Sequence, residues 1–400
     1  MPVICLYTPF SAEAECRPLS RTPLARLRNR ARRAADMALW TGMGQWQFHF
    51  STYEDRANTN RGDSAIRLAS RALIEQAFGD RAQIIELGWA DFDEAAAERL
   101  NAQADLFVVG GGGYYFCDQS GRLNARIARD AKLLARLDCP VVSLCPGMNR
   151  NLGAGGEVVL HPDSLPDLKA FLAQLDLSSV RDHVTRWALA AVDGGRAVAL
   201  ADPALFLAPQ GTLRRDDYGS LWVGLNLAFH GPHSTAHLHR LVDLVAQVAQ
   251  RLLSRRRCRF FYFVHSDAEL LIPSLLAHAG VITQVIDAAP AEMVAHYGLL
   301  DVHLAEMLHS VILCSNAGVP SVSLAYDVKH HGFAEMMGQE QWCLSIHDAH
   351  PDRVAGMLLA LADRRHAISE DILARKAQLR GQMDDYLDRV AVLTVSPVSG

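Results

Sequence analysis

This chain of 400 residues has no Cys-x-x-Cys pair, no basic excess and no long apolar run. Each absence removes a class of function. The eight cysteines (Cys5, Cys16, Cys117, Cys139, Cys145, Cys258, Cys314, Cys343) stand singly, mostly inside apolar strand-like runs. They read as buried thiols of a reducing compartment, not as a disulfide or zinc framework. A net charge of −5 offers no global attraction to nucleic acid or to an anionic membrane, so any such contact must be local. No apolar run reaches the roughly 18 residues of a membrane span, and the N-terminus lacks the charged and apolar regions of a signal peptide. A soluble, cytoplasmic protein that binds no nucleic acid is expected.

What is present is an ordinary globular composition, 50% hydrophobic and 21% charged, in a chain long enough for two domains of roughly 150 to 200 residues. Short apolar runs (Val3 to Leu6, Ala82 to Leu87, Asp105 to Val109, Val141 to Cys145, Val198 to Leu200) alternate with helical patterns such as Ser64 to Phe78 and Arg122 to Leu137. That alternation argues for parallel strands with crossover helices. It restarts after Asp202-Pro203, with strands expected at Leu221 to Leu227, Cys258 to Val264, Ile282 to Ile286 and Ser321 to Tyr326. The fold class is therefore α/β, two doubly wound domains facing across a cleft. The N-terminal domain is expected over 1–205 and the C-terminal one over 206–368, with a closing helix and tail over 369–400. Residues 11–58 form an insertion whose arginines and tryptophans, within 21–50, offer a peripheral membrane or acceptor contact; a solvated surface segment is the plainer reading.

Several motifs fall where doubly wound sheets bind ligands. "NTNRGDSAI" sets Asn60, Gly62 and Asp63 before an amphipathic helix, with Asp63 as its expected cap and the amides free for an anion or sugar hydroxyl. "VVGGGGYY" places Gly110, Gly111, Gly112 and Gly113 after a buried strand, in a spacing that fits no dinucleotide or phosphate-loop fingerprint. Arg181 beside Asp182 suits carboxylate or phosphate recognition, with a surface ion pair as the plain alternative. "LNLAFHGPHSTAHLHR" offers Asn226, His230 and His233 to the cleft; no carboxylate or Cys shares a ligand spacing with its histidines, so no metal is expected. In "AEMLHSVILCSNAGVPSVSLAYDVK", His309 lies on an apolar helix and Lys329 follows a strand. A cation beside a helix N-terminus makes an anion site.

In this order, Asn60-x-Gly62-Asp63, the strand into Gly110 to Gly113, "PVVSLCPGMN", Val180-Arg181-Asp182, "DPALFL", "VGLNLA" and "MLHSVILCSNAGVPSVSLAYDVK" resemble the polysaccharide pyruvyl transferase family across about residues 58 to 338. The resemblance implies a fold like the two-domain glycosyltransferase B type. It also implies transfer of pyruvate from phosphoenolpyruvate, as substrate and without a cofactor, onto sugar hydroxyls in polysaccharide biosynthesis. Family arginine and histidine positions associated with donor binding carry over to Arg181 and His309. A second family arginine does not, because Met307 stands in its place. Loss of a charge-assisted bond to an anionic donor costs roughly 1.5 to 3 kcal/mol. On this reading His309 is the acid/base and Arg181 and Lys329 hold the anionic donor, with Asn226 and His230 alongside. Asn60, Asp63 and Gly111 to Gly113 contact a saccharide or glycoconjugate acceptor. Met307 keeps two rivals open: a glycosyltransferase using a nucleotide-activated sugar, and a non-catalytic binding protein on the same fold. Acceptor identity and oligomeric state stay open.

Overall fold

A computed structural model describes residues 1–15, 60–79, 82–150, 158–217, 219–228 and 235–394, with a few isolated positions between 23 and 35. Most of the 11–58 insertion, together with His230 and His233, lies outside the described residues.

In the N-terminal half the order is β1 (Val3–Thr8), α1 (Arg61–Phe78), β2 (Gln83–Gly88), α2 (Glu94–Asn101), β3 (Leu106–Val109), β4 (Gly112–Phe116), α3 (Arg126–Leu134), β5 (Val141–Ser143), β6 (Pro146–Asn149), α4 (Leu165–Leu172), β7 (Ser179–Val180), α5 (His183–Asp193) and β8 (Val198–Ala199). β2, β1, β3 and β5 form a parallel sheet in that order. Side chains alternate across a strand, and the two faces feed separate cores. Cys5, Tyr7, Phe107 and Val109 pack with Phe92, Ile127 and Leu168. Ile4, Leu6, Leu106 and Val108 pack with Leu73 and Ile74 of α1. Burial on both faces explains why these strands read as unbroken apolar runs.

The C-terminal half runs β9 (Leu221–Asn226), α6 (Thr235–Leu253), β10 (Cys258–Phe263), α7 (Ile272–His278), β11 (Thr283–Ile286), α8 (Pro290–Tyr297), β12 (Val302–Ala305), α9 (Leu308–Asn316), β13 (Ser321–Ala325), α10 (Val328–Met337), β14 (Cys343–Ser345), α11 (Pro351–Asp363) and α12 (Arg365–Leu393). Its sheet is parallel with order β11-β10-β9-β12-β13-β14. Both halves are thus Rossmann-like, as the alternation implied.

Strand order reverses beside β1 in one sheet and beside β9 in the other. Crossovers leave in opposite directions at such points and open a crevice at the carboxyl ends of the strands. β3 delivers the glycine run to one crevice; β9 and β12 deliver Asn226 and Met307 to the other. Two helices join the halves. α1 places Ala65, Ile66 and Ala69 in the C-terminal core and Leu73 and Ile74 against the N-terminal sheet. α12 buries Ile368, Ile372 and Leu379 in the first and Met383, Tyr386, Leu387 and Val390 in the second. The Tyr386 hydroxyl donates to the Ser143 carbonyl at 2.7 Å.

One local expectation is corrected. The cap of α1 is Asn60, not Asp63: its side chain accepts from the amides of Gly62 and Asp63. Asn three residues ahead of Asp satisfies the first-turn donors itself and holds the Asp63 carboxylate by a 2.8 Å bond, so Asp63 is a first-turn acid facing the cleft.

Candidate active site

The site grows from short polar interruptions at strand ends. Asp202 precedes Pro203, and one carboxylate oxygen accepts the Ala204 amide at 3.0 Å, capping the short turn Pro203–Phe206. Its other oxygen, Oδ2, is directed to an imidazole and a guanidinium. His309 Nε2 stands 3.6 Å away and Arg181 Nη1 3.7 Å away. His309 is the second residue of α9 and reaches from the C-terminal domain onto α1 of the other. A Cβ at Gly62 would lie 2.5 Å from its ring Cγ, so the imidazole rests on a bare Cα. Arg181 lies likewise on Gly147, where an added Cβ would come within 2.5 Å of the guanidinium carbon. It donates to the Met148 carbonyl at 3.4 Å and to Asn149 Oδ1 at 3.2 Å.

Lys329 enters from α10. Asp327 caps that helix through the Lys329 amide at 3.1 Å, and Lys329 Nζ lies 5.0 Å from the centre of the Tyr326 ring. Burial opposes the lysine's charge, but Tyr326 and Asp327 outweigh it and raise its pKa above the usual value. Asp63 shows that these groups converge. Burial raises its pKa, while His309, Lys329 and Arg181 pull it back and Asp202 adds to the rise. Asp202 is itself fully buried, yet His309 and Arg181 hold its carboxyl below the ordinary range against that burial.

Asp202 Oδ2, His309 Nε2 and Arg181 Nε are all buried without a direct hydrogen bond. Buried polar atoms normally find partners. Here Asp202 Oδ2 faces His309 Nε2 and Arg181 Nη1 just beyond hydrogen-bond reach, and Arg181 Nε stands 3.6 Å from Asp182 Oδ2, which suits a cluster that tightens on a bound anion. An Asp that orients a His, with two flanking cations, can move a proton and clamp an anion.

The other sequence candidates sort by their partners. Arg181 is buried at 4% exposure, which corrects the surface-pair alternative: Asp182 caps α5 by accepting the Thr185 amide at 2.7 Å. Asn60 works as the α1 cap beside Asp63. Asn226 is fully buried. Its amide donates to the Phe263 carbonyl and to Glu269, and its oxygen accepts the Met307 amide. The glycine run is packed by the protein itself: Cβ atoms would meet Ile66 at Gly111, Pro9 at Gly112 (φ 103°) and Asn149 at Gly113. Through Asn149 the run touches the Arg181 end of the site. Met307 caps α9 without a side-chain bond and is largely buried. Before it, Glu306 is fully buried, accepting the Ala228 amide at 2.8 Å and facing His237 at 3.2 Å. No group of His, Cys, Asp and Glu suited to a metal occurs among the described residues. Sequence reasoning passed over Asp202, whose available signal was Asp-Pro opening a turn after a strand.

Solved structures similar to the chain share its fold. A Staphylococcus aureus MnaA–UDP structure aligns at TM-score 0.50 and 9% identity, covering 93% of this chain and 90% of that one. A putative UDP-N-acetylglucosamine 2-epimerase from Listeria monocytogenes gives 0.50 and 11% over the same shares. An OtsA structure without ligand gives 0.50 and 11% over 100% of each chain. At such identities the likeness establishes two Rossmann-like domains of the glycosyltransferase B type. No curated protein matches the chain. The polysaccharide pyruvyl transferase family model matches residues 60–328, a span that holds Asp63, Arg181, Asp202 and His309 and reaches the start of α10. The chain is a transferase-fold protein that belongs to the polysaccharide pyruvyl transferase family.

Proposed function

We propose that the protein transfers the pyruvyl group of phosphoenolpyruvate onto two hydroxyls of a saccharide or glycoconjugate, forming a cyclic ketal and releasing phosphate. One observation carries this reading: His309 Nε2 and Arg181 Nη1, from opposite domains, meet at Asp202 Oδ2 at 3.6 and 3.7 Å, and the charges of Arg181 and Lys329 both favour the ionised form of nearby Asp63. Two cations around an acid/base pair suit a donor with a carboxylate and a phosphate. They supply positive charge where Met307 supplies none.

On this reading Asp202 orients His309, which takes the proton of the first acceptor hydroxyl and delivers it to the donor methylene as that hydroxyl's oxygen bonds to the adjacent carbon. The second hydroxyl then displaces phosphate from the same carbon, and its proton leaves with the phosphate. Asp63 accepts a hydrogen bond from the acceptor. Arg61 is not a donor ligand in this scheme, because its guanidinium binds Asp287 and the Ala288 carbonyl.

Incubation with phosphoenolpyruvate and candidate saccharides, scored for free phosphate and for a product heavier by the pyruvyl group, tests the reading. His309→Ala with near-wild-type turnover would refute the role given to His309. Met307, which offers no charge to an anionic donor, favours a second reading, transfer from a nucleotide-activated sugar. Release of nucleotide instead of phosphate in the same assay would establish it.

A further inference from the structure

Glu269 lies in the turn Asp267–Leu271 after β10 and is fully buried. Its Oε2 accepts two hydrogen bonds, from the His265 amide at 2.8 Å and from Asn226 Nδ2 at 3.0 Å. Each partner leads to one side of the cleft. The Asn226 side-chain oxygen accepts the Met307 amide at 3.2 Å, at the start of α9 and two residues before His309. The His265 carbonyl accepts the Arg61 amide at 2.9 Å, at the start of α1 and two residues before Asp63. We propose that Glu269 is a positioning residue, the joint through which the N-termini of α1 and α9, and with them Asp63 and His309, are held in register across the two domains.

Glu269 faces Arg61 from α1, Glu306 from the start of α9, Tyr262 of β10 and Tyr297 of α8. Burial, with a contribution from Glu306, raises its pKa to about 8 against the pull of the His265 amide, Arg61 and Asn226. The carboxyl is therefore neutral below that value. Ionisation above it leaves a charge whose Oε1 has no hydrogen bond, and hydrating that charge requires the wall to open.

Hydrogen–deuterium exchange on the full chain, corrected for intrinsic rate, tests this. Opening hydrates the carboxyl, which then ionises above its ordinary value of 4.5, whereas the closed form stays neutral up to about 8. Wild type should therefore lose protection in segments 60–66 and 306–312 together, by about tenfold or more, between about pH 5 and 8, and level off above that. Glu269→Gln keeps an acceptor oxygen and cannot ionise, so it should match wild type near pH 5 and stay protected at pH 8. Glu269→Ala should loosen both segments near pH 5. Glu269→Gln alone is decisive where the alanine variant fails to fold. Loosening of one segment only, or a Glu269→Gln variant that follows wild type to pH 8, would overturn the proposal. The inference rests on this cleft being the reaction site. Exchange needs no substrate, so a different donor would leave its outcome untouched.

Discussion

Gly62→Ala is the sharpest test of how the two domains build one site. The added Cβ would lie 2.5 Å from His309 Cγ and closer still to Nδ1. Carbon atoms in contact sit about 3.5 Å apart or more, so the imidazole must retreat by about 1 Å or α1 must shift. Helical Ala is intrinsically favoured over Gly by about 1 kcal/mol, which isolates the steric term as the source of any loss. Overpacking of this kind costs roughly 1 to 3 kcal/mol. With each kcal/mol worth about 2 to 4 °C in a unit of this size, the melting temperature should fall by up to about 10 °C. A reacting group displaced by about 1 Å loses on the order of a hundredfold in turnover. The assay is a double-mutant cycle with His309→Ala, followed by calorimetry. In that background the methyl group enters the space the ring has left, and its cost in stability should vanish. Equal cost in both backgrounds, or a Gly62→Ala enzyme with unchanged turnover and melting, would refute the placement of His309 on Gly62.

Three further outcomes follow from the same cluster. Asp202→Asn should lower turnover at neutral pH by roughly a hundred- to ten-thousandfold, typical of a lost acid/base function. Because Asp202 titrates below the ordinary value of 3.8, its stabilisation is present above that value and is lost as pH falls through the lower native one. The stability of Asp202→Asn should therefore fall less steeply with decreasing pH than that of wild type, and identical curves would count against the pairing. Lys329→Met should raise KM for phosphoenolpyruvate by roughly ten- to a hundredfold. The lysine pKa lies above 10.5, so its contribution is complete below that value and lost only above it; a fall in affinity between pH 7 and 9 that Lys329→Met abolishes would refute its role as a fixed cation. Met307→Arg places a cation at the start of α9 and should lower the same KM about tenfold, whereas an unchanged KM would show that position 307 does not face the donor.

Much of the fold is a matter of local pattern. Strands buried on both faces must be apolar throughout, and crossover helices must carry an apolar stripe, so alternation and handed topology follow from residue order alone. The ordered motifs from Asn60 to Lys329 were legible for the same reason, since strand ends in such sheets always face the crevice. The grouping of Arg181 with His309 and Lys329 was readable only through the family resemblance.

What the tertiary structure decided is which polar residues act on one another. Asp202 and Asn226 look alike in sequence, each a polar residue ending an apolar run. Only packing shows that Asp202 keeps an oxygen toward His309 and Arg181 while Asn226 is bonded into the wall. Gly62 and Gly147 read as turn residues, yet their lack of a Cβ matters because His309 and Arg181 arrive from elsewhere in the chain. Glu269 carries no motif at all, and burial between two helix starts makes it a candidate joint. Local sequence dictates elements because backbone geometry and side-chain period are short-range. Pairing across a cleft depends on where about 250 intervening residues bring the chain back, roughly the spacing between Gly62 and His309, and only the packed cores fix that.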